Sequence, residues 1–240
     1  MRGMWDIHCH ILPEVDDGAK DMEMAKALLQ KEMEDGVQNI ILTPHYRKRM
    51  FEPEMSLVYS TYEQLKQETK DWGINLYLGC EYHANMDMVE ELNAGMHPTL
   101  GSSHYVLCEF SDGDRAAYIT ERTYHLLANG YIPVLAHIER YKALTKDFSL
   151  IDDLVERGCR MQVNAGSILG EDGFFARRFC KKLIDYDLLH FIGSDAHNLT
   201  DRTPRIGECA AYLEKKYGED YAQQILRRNP GKIMCNTPVI

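Results

Sequence analysis

Short apolar runs recur along the chain at residues 5–8, 39–43, 75–79, 105–110, 133–137, 161–164 and 190–193, each of strand length and bounded by polar or turn residues. Between them the apolar spacing changes to that of helices. The clearest case is 21–35, where Met22, Ala25, Leu28, Leu29 and Met33 share one face and Gly36 supplies a stop. Residues 56–72, 115–129, 149–157, 174–187 and 205–217 follow the same rhythm. Strands alternating with helices build parallel β/α units, and strands without polar alternation are buried on both faces. A closed or nearly closed β/α barrel of seven strands is expected, in preference to an open doubly wound sheet. No Pro/Gly/Ser-rich linker, low-complexity tract or fixed-period repeat interrupts the pattern, so residues 1–240 are expected to form one domain.

Composition narrows the functions this frame can carry. A net charge of −10 lacks the Lys and Arg clusters that drive counterion release, which argues against broad contact with nucleic acid and with anionic membrane surfaces. Seven cysteines, an odd number without a C-x-x-C pair, make a poor disulfide framework and fit a reducing cytosol. No apolar run reaches the roughly 18 residues of a membrane span, and no signal-peptide core follows Arg2, so a cytoplasmic protein is expected.

Metal-ligand residue types fall where the strands end. His8 and His10 close the first run, His45 follows the second, Glu81 the third, Glu109 lies near the end of the fourth, His137 ends the fifth, and Asp195 and His197 follow the seventh. Each alone reads as an ordinary polar residue at a strand end. Strand ends on one side of a barrel converge on a single mouth, so together they point to one site. Asp16 and Asp17 add acids in the following loop, and either is a candidate. Five histidines with three or four carboxylates exceed the roughly three protein ligands that one open catalytic ion uses. Two or three ions, with Glu81 or another carboxylate bridging, would occupy them all. Imidazole and carboxylate ligation without thiolate suits Mn, Fe or Zn rather than Ca.

The segments Trp5-Asp6-Ile7-His8-Cys9-His10-Ile11-Leu12-Pro13, Asp16-Asp17-Gly18, Thr43-Pro44-His45, His137-Ile138-Glu139-Arg140-Tyr141 and Ser194-Asp195-Ala196-His197-Asn198 occur in matching order over nearly the whole chain. In them the sequence resembles the bacterial manganese-dependent protein-tyrosine phosphatases of capsule and exopolysaccharide gene clusters, a branch of the polymerase-and-histidinol-phosphatase (PHP) superfamily. The resemblance implies a distorted, seven-stranded, TIM-like β/α barrel holding three divalent ions, Mn²⁺ foremost with Fe, Zn or Mg as alternatives. It implies His8, His10, Asp17, His45, Glu81, Glu109, His137, Asp195 and His197 as ligands, with Asp16 a rival for the place of Asp17. It further implies that Arg140 and Arg202 hold the substrate phosphate, a role that suits a guanidinium's bidentate match to phosphate oxygens. The substrate would be a phosphotyrosine protein, the tail of a bacterial tyrosine kinase controlling polysaccharide synthesis. Metal-activated hydroxide would attack phosphorus directly.

Rival chemistries are weaker. A cysteine phosphatase needs C-x5-R, and no cysteine has an Arg six positions on. Asp112-Gly113-Asp114 suggests an aspartyl-phosphate motif, but Ala116 stands where Thr or Val is needed, and the segment reads as a turn. Histidinol-phosphate phosphatase is the nearest alternative enzyme. A metal-binding partner of a kinase that hydrolyses nothing has no use for Arg140 and Arg202.

Overall fold

The computed structural model describes residues 1–239. Its nine strand segments are β1 (Met4–Cys9), β2 (Val37–Leu42), β3 (His45–Tyr46), β4 (Asn75–Leu78), β5 (Glu81–His83), β6 (Tyr105–Glu109), β7 (Ile132–Leu135), β8 (Arg160–Asn164) and β9 (Phe191–Gly193). All pair in parallel, in the orders β1-β2-β4 and β3-β5-β6-β7-β8-β9. The seven expected runs are joined by two short segments that lie beyond them, β3 after the second run and Thr43-Pro44, and β5 after the third run and Gly79-Cys80. Pro44 has no N–H to give to a ladder, so pairing lapses there. The two connections stay side by side through Gly79 N donating to Leu42 O (2.8 Å) and Glu81 N to Pro44 O (3.1 Å). At the other edge, Asp195 N donates to His8 O and His10 N to Ala196 O, both at 2.8 Å, which draws the end of β9 against the end of β1.

The six long helices form where the periodicity indicated: Met22–Glu34, Met55–Glu68, Ala116–Ala128, Phe148–Glu156, Gly173–Asp185 and Ile206–Tyr217. Asp21 caps the first by accepting from Met24 N at 2.8 Å. The second ends at Glu68, four residues before the expected 72, as Thr69 Oγ1 donates to Leu65 O. Sequence periodicity missed the short helices Met88–Asn93, Lys142–Lys146, Ala165–Leu169 and Glu219–Gln223, and the π-helical turn Gln224–Arg228 that leads into Asn229–Met234. Pro230 sits at the start of the helix Asn229–Met234, where its missing N–H costs no helical hydrogen bond.

Packing separates an inner from an outer core. Trp5, Ile7, Ile41, Leu107, Val134 and Phe191 fill the barrel interior, and Ile233 and Val239 close it from the C-terminal segment. The opposite faces, among them Cys9, Leu42, Cys108 and Ile192, pack against the helices. The β1–β2 register shifts between Asp6 and Cys9, so consecutive Ile7 and His8 both serve the interior. Among the described residues no helix is long and apolar enough to cross a membrane.

Candidate metal centre and phosphate cleft

The nine expected ligands gather at the mouth. His10, Asp17, His45 and His197 form one set of donors, His8, Glu81 and His137 a second, His8, His10 and Asp195 a third, and His45, Glu81 and Glu109 a fourth, with the atoms of each set within 4.8 Å of one another. His8, His10, His45 and Glu81 each belong to two sets. Glu81 is central: its carboxylate lies 3.3 Å from His8 Nε2, 3.2 Å from His10 Nε2, 2.9 Å from His45 Nδ1 and 2.8 Å from His137 Nε2.

The backbone is bent to achieve this. His137 (φ 31°) and Asp195 (φ 54°) sit in the left-handed region just past β7 and β9, a conformation that costs a residue with a Cβ and persists only where its surroundings enforce it. His137 was expected to end its strand. It instead follows a strand that stops at Leu135, and the turn brings its ring to Glu81.

Electrostatics binds the donors together. Burial opposes charge on His8, but Glu81 and Asp195 push its pKa up to about 9; His45, also resisted by burial, reaches about 9 beside Glu81. Burial raises the Glu81 and Asp195 carboxyls, yet His8 and His45 around the former, and His8 and Arg140 around the latter, hold both well below the carboxylate range. Glu109 moves upward through burial and the Glu81 charge. Burial and the nearby His10 bring His197 down to about 4.

Cations fit this donor set. His45 Nδ1, Glu81 Oε2, Glu109 Oε2, His137 Nδ1 and His197 Nε2 are buried without a hydrogen-bond partner, the His45–Glu81 approach lacking hydrogen-bond geometry. Each unpaired buried polar atom costs about 1–3 kcal/mol, and so many in one place point to a bound group that pairs with them. The donors are oxygen and nitrogen; Cys9, inside the H-x-H, is buried in the outer core.

Asp16 and Asp17 divide the work that the sequence left open. Asp17 joins the first donor set, whereas Asp16 turns inward and accepts from His10 Nδ1 (2.8 Å), His45 N (2.9 Å) and Gly18 N (2.9 Å). This fixes the His10 tautomer with Nε2 free toward the mouth.

Four further residues of this kind escaped the sequence reading. Gln162 Oε1 lies 3.2 Å from His8 Nδ1 and accepts from His137 N at 2.8 Å, and Gln162 Nε2 donates to Asn164, whose Nδ2 in turn donates to Asp195. Asp6 accepts from His8 N, Ser194 N and Ser194 Oγ, tying β1 to the loop that presents Asp195. A signal existed: Asp6, Gln162 and Asn164 are polar residues inside otherwise apolar strands, and a buried polar residue needs a partner.

Arg140 and Arg202 converge on one carboxylate. Arg140 lies 3.0 Å from Asp195 Oδ2 and Arg202 donates to Asp195 Oδ1 at 2.7 Å. With Asn164, Asp172 and Thr203 they line a cleft of about 160 Å³ beside the donor cluster. Each guanidinium has five N–H donors, so most remain available to a second anion. Asp112 and Asp114 lie in a turn in which Ser111 N donates to Asp114, as the sequence indicated.

Comparison with known proteins identifies the family and the fold. A family model described as capsular polysaccharide synthesis, CpsB/CapC, matches residues 4–235. The chain is 35% identical over 240 residues to the tyrosine-protein phosphatase CpsB of Streptococcus pneumoniae, covering 97% of this chain and 99% of that one. A crystal structure from work on YwqE of Bacillus subtilis and CpsB of Streptococcus pneumoniae, described as unique metal-dependent tyrosine phosphatases, superposes with a TM-score of 0.92 at 31% identity, over 99% of this chain and 96% of that one. Histidinol phosphate phosphatase of Lactococcus lactis shares the fold, with a TM-score of 0.58 at 16% identity over 91% of this chain and 95% of that one.

Proposed function

Because the chain belongs to the CpsB/CapC family of capsular polysaccharide synthesis, we propose that it is a metal-dependent protein-tyrosine phosphatase, built as a single PHP-type domain and acting in the cytoplasm. The observation that carries the reading is the overlap of four donor sets on nine residues beside a cleft edged by two arginines. His8, His10, Asp17, His45, Glu81, Glu109, His137, Asp195 and His197 would hold three divalent ions, Mn²⁺ foremost. When bound, such ions supply Lewis-acid charge and a water whose pKa falls toward neutrality.

The chain's own residues do the rest. Arg140 and Arg202, anchored by Asp195, present their remaining N–H groups to the equatorial oxygens of a phosphoryl group, where preorganised charge contributes most to phosphoryl transfer. Asp16 and Gln162 hold the imidazoles in orientation, and Asp6 fixes the loop carrying Asp195. A tyrosine leaving group, with a pKa of about 10, departs with less protonation than an alkyl alcohol requires. The phosphoprotein is taken to be a bacterial tyrosine kinase that controls capsule or exopolysaccharide synthesis.

Initial rates on a phosphotyrosine peptide and on histidinol phosphate, with Mn²⁺ and after chelation, test the reading. It expects chelator-sensitive turnover of the peptide that survives thiol alkylation. Preference for histidinol phosphate, or activity that resists chelation and is lost on alkylation, would contradict it.

A further inference from the structure

A second, larger cleft lies beside the phosphate cleft. It measures about 850 Å³ and runs along the helix Gly173–Asp185, with Phe175, Arg178, Lys182 and Tyr186 on one wall and Glu139, the neighbour of Arg140, on the other. Glu139 faces away from it in part, its Oε1 accepting from Asn164 N and Ser167 Oγ. Ser167 also bonds Asp172, and Asn164 and Asp172 line the phosphate cleft. Glu139 and the segment 165–172 therefore link the linings of the two clefts.

Its chemistry departs from that of the whole chain. In a molecule of net charge −10, the helix brings Arg178, Lys181 and Lys182 to this cleft. Lys181 is paired with Asp185, while among the described residues Arg178 and Lys182 have no carboxylate partner. Lys182 Nζ stands 3.7 Å from the centroid of the Phe148 ring, which holds the ammonium in place without neutralising it. Three aromatic side chains are bare beside these charges: Phe174 is 70% exposed, Phe175 85% and Tyr186 65%. Exposed aromatics on a helix whose other face is buried mark a contact surface.

We propose that this cleft docks the acidic segment flanking the phosphotyrosine of the protein substrate, with Arg178 and Lys182 meeting its carboxylates and Phe175 an apolar side chain within it. The inference rests on the phosphatase reading for the identity of the partner. Charge complementarity selects an acidic occupant, and the shared wall at Glu139 and 165–172 lets one extended chain reach from this cleft to Arg140. At about 3.3 Å per residue, a few residues span such a ridge. A distinct docking cleft lets affinity for the protein be set apart from the chemistry at the phosphoryl group.

The test uses the Mn²⁺-loaded full chain and three substrates: a phosphotyrosine peptide with acidic flanks, the same peptide with neutral flanks, and p-nitrophenyl phosphate. The double variant Arg178→Glu/Lys182→Glu and the single variant Phe175→Ala are compared with the parent. For the double variant the expected result is a KM at least about tenfold higher for the acidic peptide, more so at low salt, with kcat and both constants for p-nitrophenyl phosphate unchanged. Phe175→Ala should raise the same KM without the salt dependence. Unaltered KM for the acidic peptide overturns the proposal, and so does equal loss on p-nitrophenyl phosphate. A change of oligomeric state with KM unaltered would make the cleft a contact between copies, and binding only to anionic vesicles a membrane contact; either also overturns it. Should the parent fail to hydrolyse any of the three substrates, the phosphatase reading falls, and fluorescence anisotropy of the acidic peptide still decides the docking by the same comparison.

Discussion

Asp16 and Asp17 are adjacent acids of identical reach, and only the path of the loop distinguishes them. The side chain of Asp16 is 1% exposed and that of Asp17 51%, so the first orients imidazoles from behind and the second faces the mouth. Asp16→Ala should lower Mn²⁺ affinity by roughly 10–100-fold while leaving the number of ions bound at saturation unchanged, as measured by competition with a fluorescent chelator. Loss of a whole ion equivalent would instead make Asp16 a ligand. Arg140 makes the opposite prediction. It contributes no ligand atom, so Arg140→Ala should reduce kcat at least about tenfold at unchanged metal content, and unaltered kinetics would remove it from the phosphate clamp. At this scale eight candidate donors were legible because histidine and carboxylate stand out at strand ends, whereas the choice between Asp16 and Asp17 was not. Gln162 and Asn164 stood out only as polar positions in apolar strands, and which donors they and Ser194 serve was not legible, since the partners lie up to 188 residues away.

Among the elements, strand positions were readable from runs of apolar residues, while the short segments β3 and β5 that resume pairing beyond Pro44 and Cys80 were not. Segments of two or three residues are too short to show a periodicity. The same limit hid the left-handed turn at His137, where tertiary contacts override the strand pattern. His190, at the entry to β9, shows how one such contact governs stability. Its Nδ1 accepts from Met161 N at 3.2 Å, joining β8 to β9, and burial together with the Arg160 charge lowers its pKa from 6.5 to about 3. The folded state therefore binds fewer protons than the unfolded chain between these values. The resulting stability is fully present above pH 6.5 and is lost as pH falls toward 3. Urea unfolding of chelated protein between pH 6 and 4 should show a His190→Gln variant losing less stability than the parent, by up to about 1.4 kcal/mol per pH unit. Parallel slopes would show that His190 does not titrate in this way.

Over the whole molecule, the barrel makes a polar site affordable by enclosing it between an inner apolar core and a rim of loops. Trp5, Ile7, Leu107, Val134 and Phe191 pack beneath the donors, and β1 and β9 meet at the very residues that carry His8, His10 and Asp195. The expected barrel and the convergence of strand ends were legible because both follow from alternating β/α units. The docking cleft along Gly173–Asp185 was not, because a helix with exposed aromatics reads in sequence as one more amphipathic helix. The claim on which the account turns is that nine side chains jointly hold several cations, and elemental analysis of protein purified with Mn²⁺ and freed of loose metal tests it most directly. Nine donors at about three per ion predict about three ions per chain, falling on substitution of Glu81, which two donor sets share. A content of about one ion or fewer, or one indifferent to Glu81→Ala, would contradict it.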